Sequence, residues 1–112
     1  MDLDAEIEKF MFQIYEKVHN KQPVVFEKIL KQEERCLQDA GDDVESYVRC
    51  MRKMNKNVEF NEHMMAYKTE YIIKKATMCF HENFKQNKSL EPCKEAALSQ
   101  IEKYAKDFSN AV

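Results

Sequence analysis

The chain has 112 residues, enough for one domain with a modest core, and its 18 basic and 20 acidic residues leave a net charge of −2. One glycine and two prolines cannot supply the turns of a sheet, and strong helix formers fill the rest, so the composition predicts an all-α protein. The charges are interspersed without a basic block, which argues against a nucleic-acid partner, and no apolar run approaches the roughly 20 residues of a membrane span.

The start, Met1-Asp2-Leu3-Asp4, is acidic, unlike a secretory signal or an Arg-rich transit peptide. An organellar address would then be internal or already removed. Leu3, Ile7, Phe10, Met11, Ile14, Tyr15 and Val18 recur in steps of three and four, which predicts a first helix over about 3–19. His19-Asn20-Lys21-Gln22 dilutes the pattern, and Pro23 either kinks the helix or opens a new one. The stripe resumes at Val25, Phe26, Ile29, Leu30, Cys36 and Leu37.

Asp39-Ala40-Gly41-Asp42 is the clearest punctuation. Gly41 suits the left-handed residue past a helix end. Asp42 is the expected cap of the next helix, with Glu45 completing a capping-box variant. Val44, Tyr47, Val48, Met51 and Met54 line that helix. Asn55-Lys56-Asn57 weakens it, since Asn competes for helical hydrogen bonds, and predicts a bend or break near residues 55–58. Beyond it a stripe runs through Phe60, Met64, Tyr67, Tyr71, Met78 and Phe84, with Met65, Ile72 and Cys79 beside it. Gln86-Asn87-Lys88-Ser89 makes a second turn, and Pro92 fits the first turn of a last helix lined by Cys93, Ala97, Ile101, Tyr104, Ala105 and Phe108.

Cys36 and Cys50 stand 14 positions apart, as do Cys79 and Cys93, and each pair brackets a turn. Antiparallel helices pack with axes roughly 8–10 Å apart, which brings facing Cα atoms within the roughly 4.4–6.8 Å of a disulfide. Four cysteines allow three pairings, and the repeated spacing favours 36–50 with 79–93. Four buried free thiols in a cytosolic protein are the alternative. Zinc is disfavoured because no C-x2-C pair occurs and His19, His63 and His81 lie without ligand spacing. The expected architecture is two tandem antiparallel hairpins, about 24–54 and about 59–111, each stapled by a disulfide in one elongated domain.

Arg35-Cys36, Val48-Arg49-Cys50-Met51-Arg52-Lys53-Met54 and Ala76-Thr77-Met78-Cys79 carry a resemblance to the twin-hairpin proteins of the mitochondrial intermembrane space, oxidised on import. The nearest likeness is to the "family with sequence similarity 136" group, itself similar to the small Tim chaperones. That family pairs two C-x3-C segments per hairpin. Here Gln32, Met54, Lys75 and Ala97 stand where the outer cysteines would be, so only the inner disulfides would remain. The resemblance implies location in the mitochondrial intermembrane space.

Catalysis finds no support: there is no phosphate-cradling loop, nucleophile elbow or C-x-x-C pair, and Cys79 and His81 point to different helix faces. No catalytic, cofactor or metal site is expected. Phe12, Val24, Tyr67, Tyr71, Ile73 and Phe80 broaden the apolar surface beyond one helix–helix contact, and together with Met64 they are the candidate partner-binding residues. This favours an accessory subunit bound to protein partners in a larger assembly, such as a respiratory complex. The alternative is a small-Tim-like chaperone with an adaptable Met-rich surface.

Overall fold

A computed structural model of the chain describes residues 2–112, and it forms four helices: α1 (Leu3–His19), α2 (Gln22–Ala40), α3 (Val44–Lys85) and α4 (Glu91–Ala111). There is no strand among the described residues. The molecule is a rod of 67 × 18 × 18 Å. Its spine is α3, whose 42 residues span roughly 63 Å at the helical rise. The Cys36–Cys50 disulfide joins α2 to α3 and the Cys79–Cys93 disulfide joins α3 to α4. The expected elongated pair of stapled hairpins is therefore the architecture observed. Ion pairs Glu6–Lys94 and Lys17–Glu102 lay α1 parallel to α4, so α1, like α2, runs antiparallel to the spine.

The break expected at residues 55–58 is absent, and α3 passes through it without interruption. Two features hold the helix there. Asn57 turns its side chain away from its own helix, its Nδ2 donating to the Ala111 carbonyl, while Asn61 one turn on donates its Nδ2 back to the Asn57 carbonyl. The beginning of α2 and the end of α4 also overlap across this stretch. Lys28 Nζ donates to the Ser109 carbonyl and Gln32 Nε2 to the Val112 carbonyl, which satisfies acceptors that the end of α4 would otherwise expose.

Gly41 ends α2 with φ 58°, the conformation that requires a glycine. The cap of α3 is Asp43, not Asp42. Its Oδ1 accepts from the Glu45 backbone N–H at 3.1 Å and its Oδ2 from the Ser46 hydroxyl at 2.7 Å. With the helix starting one residue later than expected, Glu45 is the second helical residue and cannot close a capping box; Ser46 occupies that place. The second turn passes through Asn87 at φ 55°, a conformation asparagine tolerates. Asn83 Nδ2 ties that turn down by donating to the Ser89 carbonyl.

The core lies where α1, α3 and α4 meet. Phe10 and Ile14 pack against Met65, Ile72, Ala76 and Phe80 of the spine and against Cys93, Ala97, Ile101 and Ala105 of α4. The first hairpin has far less: Val25 and Cys36 are the buried residues of α2, met by Met54 of α3. One end of the rod is thus a three-helix bundle, and the other is a helix pair that depends more on its disulfide.

Candidate functional site

The four cysteines stand where their spacing places them. Cα atoms are 5.6 Å apart in Cys36–Cys50 and 5.9 Å in Cys79–Cys93, and no cysteine is free among the described residues. Each bridge closes the open side of its turn and fixes the rotation of two helices about their axes. That rotation decides which side chains reach solvent.

On α3 it buries one stripe and exposes another. Met54, Met65, Thr69, Ile72, Ala76 and Phe80 face inward. At about 100° per residue, Phe60, Met64, Tyr67, Tyr71 and Met78 lie about 200° round the helix from that line. They are exposed, Tyr67 by 69% and Tyr71 by 52%. The stripe through Phe60, Met64, Tyr67, Tyr71 and Met78 is therefore the outer face of α3, and Met65 and Ile72 beside it belong to the core. The buried line had a signal of its own: Met51, Val58, Met65, Ile72 and Cys79 recur at an unbroken seven-residue step through a disulfide cysteine.

The candidate partner-binding residues divide accordingly. Met64, Tyr67 and Tyr71 share the outer face of α3. Phe12 and Val24 are also exposed, but on α1 and α2. Phe80 is corrected to a core residue: it is fully buried, and its ring meets that of Phe10. Ile73 is half-buried against the core and offers only its edge.

A groove of about 1040 Å³ opens where α1 hands over to α2. Its floor includes Val25, Met65 and Thr69, and its walls include Val18, Phe26 and Ile73. The Thr69 hydroxyl donates to the Met65 carbonyl, so the floor holds no unsatisfied polar group. His19, Glu62, Glu70 and Lys74 stand around the lining, with Lys74 Nζ 2.7 Å from Glu70.

Electrostatics are strongest where α1 docks. Lys94 Nζ lies 3.0 Å from Glu6, and the hydrogen bond and charge of Lys94 hold the Glu6 carboxyl below its ordinary range. Glu6 in turn raises Lys94. Lys17 lies 2.7 Å from Glu102, lowering that carboxyl and being raised by it, in each case chiefly through the hydrogen bond. These shifts belong to helix docking. No group of three or more His, Cys, Asp or Glu side chains is placed to hold a metal ion among the described residues, and no described helix is long and apolar enough to cross a membrane.

No protein-family model, no curated protein and no solved structure matches this chain.

Proposed function

We propose that this chain is a non-enzymatic accessory subunit that binds protein partners within a larger assembly in an oxidising compartment, the mitochondrial intermembrane space. The observation that carries the reading is the outer face of α3, where Phe60, Met64, Tyr67, Tyr71 and Met78 form an apolar stripe on the side of the spine away from the core. Apolar patches of this kind, rimmed by charge, mark interaction sites on otherwise soluble surfaces. Tyrosine adds contact area with little side-chain entropy to lose and a hydroxyl that tolerates water before docking. The two disulfides support the compartment, because such bridges persist where thiols are not kept reduced. The mitochondrial address rests on the resemblance of the cysteine-flanking segments to twin-hairpin proteins.

A second reading, a small-Tim-like chaperone for hydrophobic precursors, draws on Met64 and Met78, flexible side chains exposed on the same stripe.

Native mass measurement of the protein from its own cells separates the two. The expected result is recovery within one large stoichiometric complex, with the Tyr67→Ser/Tyr71→Ser variant released from it at unchanged helicity. A hexamer, or a mixed ring with similar chains, would favour the chaperone. A free monomer with four reactive thiols would remove both readings.

A further inference from the structure

The two halves of the rod differ in one respect that points to a missing helix. Along the C-terminal half of α3, α4 covers one side and α1 the adjacent side, with Phe10 and Val18 meeting the part of the spine that carries Phe80 and Ile73. Along the N-terminal half, α2 takes the central position. The tail of α4 covers one side of it, held by Lys28, Gln32 and Asn57. No described helix covers the other side, which continues the track of α1 beyond its end at His19.

That side is apolar on both helices. Phe26, Leu30 and Leu37 of α2 lie about 100° round from its buried line, and Val44 and Val48 of α3 lie on the matching side of the spine. Because the two helices are antiparallel, these rotations bring both sets to one face. All five are exposed, Phe26 by 63%, Leu37 by 62% and Val44 by 69%. The face continues the groove at the α1–α2 junction, which Phe26 also lines. From Ala66 back to Val44 it runs roughly 33 Å, the length of a helix of about 20 residues.

We infer that this channel receives an amphipathic helix from a protein partner, with an apolar face and a basic flank. The chain itself shows what fits such a position: α1 occupies the equivalent track with an apolar face and closes it by ion pairs to α4. The charge of the empty track selects the partner. Glu33 and Glu34 on α2 and Glu59 and Glu62 on α3 border it, and none of the four is in an ion pair among the described residues. Arg52 of α3 is likewise in no ion pair among the described residues. Lysines or arginines flanking the incoming helix would pair with these carboxylates, while an acidic flank would be repelled. This surface is distinct from the outer face of α3.

The test uses the oxidised full-length chain and two synthetic helices of about 20 residues with one Leu/Ala face, one flanked by Lys and the other by Glu. The expected result is saturable one-to-one binding of the Lys peptide, at least about tenfold tighter than the Glu peptide. Leu30→Glu with Leu37→Glu, both exposed and tolerable to the fold, should weaken it about tenfold or more, at unchanged helicity and intact disulfides. Glu33→Gln with Glu62→Gln should narrow the Lys-over-Glu preference. Tyr67→Ser with Tyr71→Ser should leave binding intact, so failure here is separable from failure of the accessory-subunit reading. Equal binding of both peptides, or indifference to the leucine substitutions, would overturn the inference. So would displacement of the peptide by myristate, which would make the groove a lipid site. A chain dimer in sedimentation equilibrium that dissociates in the leucine variant would overturn it as well, by assigning the face to a second copy.

Discussion

The ring of Phe10 meets that of Phe80 edge-on, with centroids 5.0 Å apart and planes at 89°. Both side chains are fully buried, and this contact seats α1 on the spine. An edge-to-face pair places the positive rim of one ring on the negative face of the other, a gain beyond the buried area.

Truncating Phe80 to Ala should therefore cost about 3–5 kcal/mol and loosen α1 as well as the core. Tyr67→Ala, on the same helix but largely exposed, should change stability by no more than about 0.5 kcal/mol. Urea denaturation of the two variants checks the contrast, which reverses if the outer stripe is the packed one.

The two disulfides should be unequal in consequence though equal in loop length. Each closes a 14-residue separation, worth about 3 kcal/mol in the chain-entropy model. Without Cys79–Cys93, the second hairpin keeps the three-helix core. Without Cys36–Cys50, α2 and the first turns of α3 keep little beyond Val25 and Met54. In the double Cys→Ser variants, hydrogen exchange should show local opening of residues 22–54 in the first case and only a general loss of stability in the second.

The cap of α3 offers a one-residue discrimination. Asp43→Ala removes the acceptor for the Glu45 backbone N–H and for Ser46, and should lower the melting temperature by a few degrees. Asp42→Ala should leave it unchanged. Ser46 holds the Asp43 carboxyl below its ordinary range, so the capping contribution should fade in acid.

The docking of α1 should depend on pH at both extremes. Glu6 and Glu102 are lowered from 4.5 by Lys94 and Lys17, so they bind protons less readily in the folded chain. Their contribution is complete above that value and is lost as pH falls through the lowered folded pKa. Lys94 and Lys17 are raised from 10.5, and their contribution is present below that value and lost as pH rises through the raised one. Melting temperature should be flat around neutrality and fall below about pH 4.5, and Lys94→Met should make the acid fall shallower. Because the groups are partly exposed, high salt should shrink the whole effect.

Composition and periodicity by themselves determined that the chain is helical, placed turns at Gly41 and Asn87, and favoured one pairing of the cysteines, because these depend on local propensity and on a repeated spacing. The face that each helix buries was decided only by tertiary structure. On α3 two apolar stripes share one period, and the larger aromatic side chains of Phe60, Tyr67 and Tyr71 stand on the solvent side while smaller Thr69 and Ala76 face the core. A period cannot say on which side a neighbour will lie; the positions of α1 and α4 settle that, with the disulfides fixing the rotation. The continuity of α3 through Asn55–Asn57 has the same origin. Local preference there favours a break, but the overlapping ends of α2 and α4 pack across it, and the Asn57 side chain bonds to α4 in place of its own helix.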